Sequence, residues 1–94
     1  MTPTRPNWSK VVGTVSHSTP SIVPGFTNVH VQIGSTEPVE AFPDMVSPYV
    51  GTTLPVRVPT EQIDNLITGG AFSAQVRAEG NNIYYADPKT TKFG

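Results

Sequence analysis

Residues 54–79, LPVRVPTEQIDNLITGGAFSAQVRAE, decide the fold. They open with Leu54, Val56 and Val58 alternating with Pro55 and Arg57, and a period of two puts the three aliphatic side chains on one face of a strand. Pro55 has no N–H to donate, which predicts an edge or a break there. Pro59 ends the strand. Thr60 then stands as a helix N-cap, Glu61 and Asp64 favour the positive end of a helix dipole, and Ile63, Leu66 and Ile67 form an i, i+3, i+4 stripe. Gly69 and Gly70 stop this helix after about two turns. A helix that short is unstable alone in water, so its stripe must plug a core. The stretch closes with a second strand, Phe72, Ala74, Val76 and Ala78 facing one way and Ser73, Gln75, Arg77 and Glu79 the other.

Working outward, Gly80, Asn81 and Asn82 predict a hairpin turn, since both residue types tolerate positive φ. The strand beyond it, Ile83 to Ala86, is read with Ile83 and Tyr85 inward and Tyr84 outward. Upstream, Thr27 to Ile33 puts Val29, Val31 and Ile33 on one face and Asn28, His30 and Gln32 on the other. A short strand is expected near Val39 to Phe42, after a turn over Gly34 to Pro38. The first strand is Lys10 to His17, and Gly13 inside it marks a bulge or a sharp bend. Residues 18–26 carry two prolines and a glycine and read as a loop. Residues 1–9 form an extended arm whose large apolar group is Trp8, residues 10–87 a single β-barrel domain, and residues 88–94 a tail.

Composition agrees with this outline. Ninety-four residues allow one domain, which buries about 64% of its unfolded surface. Charged residues are 14% of the chain, against about 25% for an ordinary domain. The difference is taken up by Thr, Ser, Asn, Gly and Pro scattered between apolar stretches, as in the turns of an all-β domain. With no cysteine, disulfides, thiolate metal sites and thiol catalysis are excluded. No secretory leader pattern is read and no apolar run reaches 7 residues, so a cytoplasmic protein without a membrane partner is expected.

Alternating strands with one short helix before the final hairpin fit a small closed barrel of five to six strands whose end the helix covers. Closure removes edges that a sheet of this size could not otherwise protect. The OB-fold has the element order that fits best, and an SH3-like barrel is the runner-up.

Two segments carry a family resemblance. Asn7 to Val15, NWSKVVGTV, followed by a proline-containing loop and the Val29, Val31, Ile33 strand, resembles the opening of OB-fold single-stranded DNA-binding proteins. Leu54 through Glu79 is similar to the strand, helix, glycine, strand passage of the same family. The two cover about half of the chain. The chain has a single tryptophan and lacks the acidic-tipped tail of the cellular members, so the resemblance implies a phage- or plasmid-type binder acting in DNA replication, or an OB module with another ligand.

Binding a single strand requires cations for phosphates and exposed aromatics for stacking. Arg57, Arg77 and His30 stand in the outward phase of their strands, together with Phe42 and Tyr84. Trp8, Phe26 and Lys10 lie on the arm, on the loop and at the start of the first strand. Tyr84 is the leading aromatic candidate. The charge distribution opposes the reading: residues 10–87 are net −4 and the terminal segments carry +3. His17, His30 and Glu40 give no metal spacing, so neither metal nor cofactor is expected. No nucleophile, base and acid assemble into a catalytic pattern, so an enzyme is not expected. Glu37, Glu40 and Asp44 read as a solvated acidic loop.

The expected function is a non-catalytic module that binds single-stranded nucleic acid as a homo-oligomer, which would multiply a weak basic face and cover an apolar edge. The alternative is a protein-interaction or assembly module, such as a replication, conjugation or phage-particle accessory, with no nucleic-acid binding.

Overall fold

The computed structural model describes residues 6–80 and 83–94. The first five residues of the expected arm, and Asn81 and Asn82 of the expected hairpin turn, lie outside the described residues. The described chain is all-β, with six strands: β1 (Ser9–Pro20), β2 (Phe26–Pro38), β3 (Thr53–Pro59), β4 (Ala71–Gly80), β5 (Ile83–Ala86) and β6 (Lys92–Phe93). Five of them close into a barrel in the order β1-β2-β3-β5-β4, sealed by β1 pairing β4. Neighbours are antiparallel except β3 and β5, which are parallel. This is the OB-like barrel expected from the sequence, with β6 added beside β4.

The inward phases expected of β2, β3 and β4 hold, and Val11 and Val15 of β1 turn inward with them. Val11 and Val15, then Val29, Val31 and Ile33, then Leu54, Val56 and Val58, then Phe72, Ala74 and Val76 are all buried in one core. Val46 enters that core from the loop before β3, and Ile63, Leu66 and Phe93 pack against it. Closing a barrel on two long strands requires β1 to bend sharply. It does so at Gly13, where the register against β2 shifts between Val12 and Gly13. A side chain at Gly13 would run into the Gln32 carbonyl oxygen and the Val31 side chain.

Pro55 pairs only toward β2, opposite His30, because contact with β5 begins at Val56. The missing N–H therefore costs no ladder bond.

Six expectations are corrected. The helix is a six-residue 3₁₀ turn, Thr60–Asn65, that ends in extended backbone at Leu66. Thr60 does not cap it: its hydroxyl is 3.0 Å from that of Thr27. Ile63 and Leu66 still reach the core, but Ile67 is 66% exposed. Gly69 does not end a helix either; it holds φ +83° in a turn, and its N–H donates to the Val15 carbonyl at 2.7 Å. The strand expected at Val39 to Phe42 is a turn, because β2 itself runs on to Pro38 against the first residues of β1. The loop expected over 18–26 shrinks to residues 21–25, since both flanking strands are longer than their alternation suggests.

Both termini dock. The Asn7 amide copies a strand neighbour, donating to the Ala78 carbonyl and accepting from the Ala78 N–H, each at 2.9 Å. Ser9 is fully buried and donates to Asp44 Oδ1 at 2.6 Å. Asp44 organises the acidic loop rather than standing solvated, since it also accepts from the Val46 and Ser47 N–H groups. Burial raises its carboxyl pKa, but hydrogen bonds from Ser9, Thr36, Val46 and Ser47 outweigh that and hold it below the usual carboxylate range. At the other end, β6 pairs with Phe72 and Ser73, and Phe93 packs on Phe72 with ring centroids 5.5 Å apart.

Candidate nucleic-acid interface

The outward positions of β2, β3, β5 and β4 line up across the barrel. Asn28 pairs with Arg57, Arg57 with Tyr85, and Tyr85 with Arg77. Trp8 stands one step before the Ser9–Val76 pair and so continues the row past Arg77. Register alone therefore places two guanidinium groups on either side of one phenol, with an indole beyond.

The side chains use that placement. Arg57 Nη1 donates to Tyr85 Oη at 2.8 Å, with its guanidinium carbon 5.2 Å from the ring centroid. Arg77 lies between two rings, 5.6 Å from Tyr85 and 5.8 Å from Trp8. Phe26, from the first residue of β2, meets Tyr85 edge-on at 5.6 Å and 86°. A cation within about 6 Å of a ring centroid is attracted by its quadrupole, and edge-to-face packing fixes the ring without covering both faces. The carboxylate of Glu79, two residues along β4, pairs with Arg77 Nε at 2.6 Å. Beside the row runs a groove of about 360 Å³ lined by Trp8, Phe26, Arg77, Tyr85, Asp87 and Lys89.

The structure thus gathers Arg57, Arg77, Trp8 and Phe26 and leaves the other sequence candidates elsewhere. Tyr84 is a correction: it is 3% exposed, inside the barrel opposite Ala78 and Val56, and Tyr85 takes the outward place. Burial, and then the neighbouring Tyr49, push the Tyr84 phenol pKa upward, so it stays protonated. The phase was misread because the β4–β5 register slips between Ala78 and Gly80. One inserted residue exchanges the inner and outer faces of everything beyond it, and the bulk of Ile83 suggests the wrong choice.

His30 is also outside the row. It stacks on His17 at 4.1 Å and 8°, and its Nε2 lies 3.0 Å from the Thr19 hydroxyl. Phe42 is in the turn after β2, on none of the strands that carry the arginines. Lys10 points outward from β1 beside Gln75, on the far side of β4. Among the described residues no group of three or more His, Cys, Asp or Glu side chains could hold a metal ion. No helix among them is long and apolar enough to cross a membrane.

Compared with protein-family models, curated proteins and solved structures, the chain matches none. Barrel topology and the chemistry of the row therefore stand as the basis for a functional reading.

Proposed function

We propose that the protein is a non-catalytic module that binds single-stranded nucleic acid, with bases stacking at Trp8, Phe26 and Tyr85 and phosphates meeting Arg57 and Arg77. The observation that carries this is Arg77 seated between the Tyr85 and Trp8 rings with Arg57 on the other side of Tyr85. Stacking contributes about 1–3 kcal/mol per base and is indifferent to base identity. Guanidinium groups supply a charge that no accessible pH removes and a planar donor fork suited to phosphate. Oligomerisation remains part of the reading, since one copy offers only two arginines here.

A titration of labelled oligo-dT at two salt concentrations tests this. Affinity should fall steeply with salt, about 0.7 in logarithmic slope for each phosphate neutralised, and Trp8 fluorescence should be quenched on binding. Absence of binding in the micromolar range at low salt would sink the proposal. The assembly reading would then take its place, supported by the exposed Ile22 in the β1–β2 loop, 91% accessible.

A further inference from the structure

The sequence separates Lys10 from Lys89 and Lys92, yet the fold brings the three together. Lys10 stands outward on β1 opposite Gln75, Lys92 on β6 opposite Ser73, and Lys89 in the turn between β5 and β6. They line a groove of about 340 Å³ over the outer face of β4. Lys89 also lines the groove of the aromatic row, so the two grooves meet along β4.

The lysines are presented by ordered backbone. The Asp87 N–H donates to the Gln75 carbonyl at 2.8 Å, and Asp87 Oδ1 accepts from the Lys89 N–H at 3.0 Å. The Asp87 carbonyl accepts from the Thr90 and Thr91 N–H groups, both at 3.1 Å, and the Gln75 N–H donates to Thr90 Oγ1 at 2.9 Å. The turn is therefore locked to β4, and little ordering is left for a ligand to impose. Glu37 faces Lys10 across β1 and β2, and Glu61 and Asp64 lie in the hollow beside Lys92. Even so, among the described residues none of the three ammonium groups is in an ion pair. Three like charges that share one groove and are in no ion pair among the described residues form a site for an anionic chain.

Resting on the function proposed above, we infer that this groove carries the phosphate backbone of a single strand as it leaves the aromatic row along β4. The row takes bases and nearby phosphates; the lysine groove takes phosphates alone. Lysine suits that task, because a mobile point charge follows a backbone without demanding one geometry.

The test compares wild type with the triple variant Lys10→Gln, Lys89→Gln, Lys92→Gln on oligo-dT of about 4 and about 16 nucleotides, the range of site sizes of OB folds. Binding is measured at about 50 and about 200 mM salt. Losing three phosphate contacts should lower the logarithmic salt slope for the long oligomer by about 2, so that the affinity lost over this salt step shrinks ~20-fold. The short oligomer, held by the row, should lose at most the one contact of Lys89, which lines both grooves, a fall in slope of no more than about 0.7. Lys92→Glu, an exposed side chain that does not line the row's groove, should weaken the long oligomer selectively, and thermal melts show whether each variant is folded. Equal slopes for wild type and triple variant on the long oligomer would overturn the groove and leave the row standing. Failure of wild type to bind either length would overturn both.

Discussion

On the β3–β5–β4 face, Arg57 and Arg77 hold permanent charges against the Tyr85 ring; on the β1–β2 face, His17 and His30 lie ring on ring in register. Both patches are built by the same device, outward residues brought abreast by strand pairing. They behave in opposite ways. The guanidinium groups gain from their aromatic neighbours while charged. Burial first, and then the neighbouring His17, lower the His30 pKa, so the His30 imidazole favours its neutral form. One face therefore gathers guanidinium groups against rings, while on the other the His30 imidazole resists taking up charge.

The strongest attempt to break this contrast reverses the charges. Arg57→Glu with Arg77→Glu should lower oligo-dT affinity by about 100-fold or more, whereas Gln32→Glu, exposed on β2, should change it less than about twofold. Equal effects in a binding titration would erase the difference between the faces.

The two adjacent tyrosines sharpen it next. Tyr84→Ala opens the core and should cost about 3–5 kcal/mol of stability in urea unfolding. Tyr85→Ala should leave stability within about 1 kcal/mol while weakening oligo-dT by the ~1–3 kcal/mol of one stacked base. A destabilised but fully binding Tyr85→Ala would contradict the assignment.

A smaller effect comes from pH. A histidine whose folded pKa lies below its unfolded value of 6.5 contributes fully above that pH. Stability is lost as the unfolded chain takes up protons below it and the folded chain does not. Melting should therefore occur at lower temperature at about pH 5 than at about pH 7.5, and His17→Gln should reduce that difference. Asp44 does not interfere: its depressed carboxyl supplies stability present above the ordinary value of 3.8 and lost as the pH falls through the lower folded value. The smallest expected change is in Glu79→Gln. Freeing Arg77 from a half-exposed ion pair, at most about 1 kcal/mol, should strengthen oligo-dT binding up to about fivefold.

The sequence read most clearly where alternation was strict. Val29, Val31 and Ile33, Leu54, Val56 and Val58, and Phe72, Ala74 and Val76 turned inward as expected. The Gly13 bend was legible for the same reason, since a glycine in a strand has few other uses. At the site, Arg57 and Arg77 were legible by phase, and Trp8 and Phe26 by residue type alone. Tyr85 was hidden by a one-residue register slip, and Lys89 and Lys92 by their place in an apparent tail.

Period-two hydrophobicity by itself determined the all-β barrel, most of its core and the outward phase of both arginines, because side-chain alternation is a local property of a strand. Tertiary pairing alone decided which outward residues became neighbours. Register slips fall where bulges form, and long-range hydrogen bonds such as those of Asn7 and Asp87 dock the two ends. A body read as net −4 thereby acquires a face where Lys10, Arg77, Lys89 and Lys92 converge. Charge summed along a chain carries no information about which charges folding will bring together.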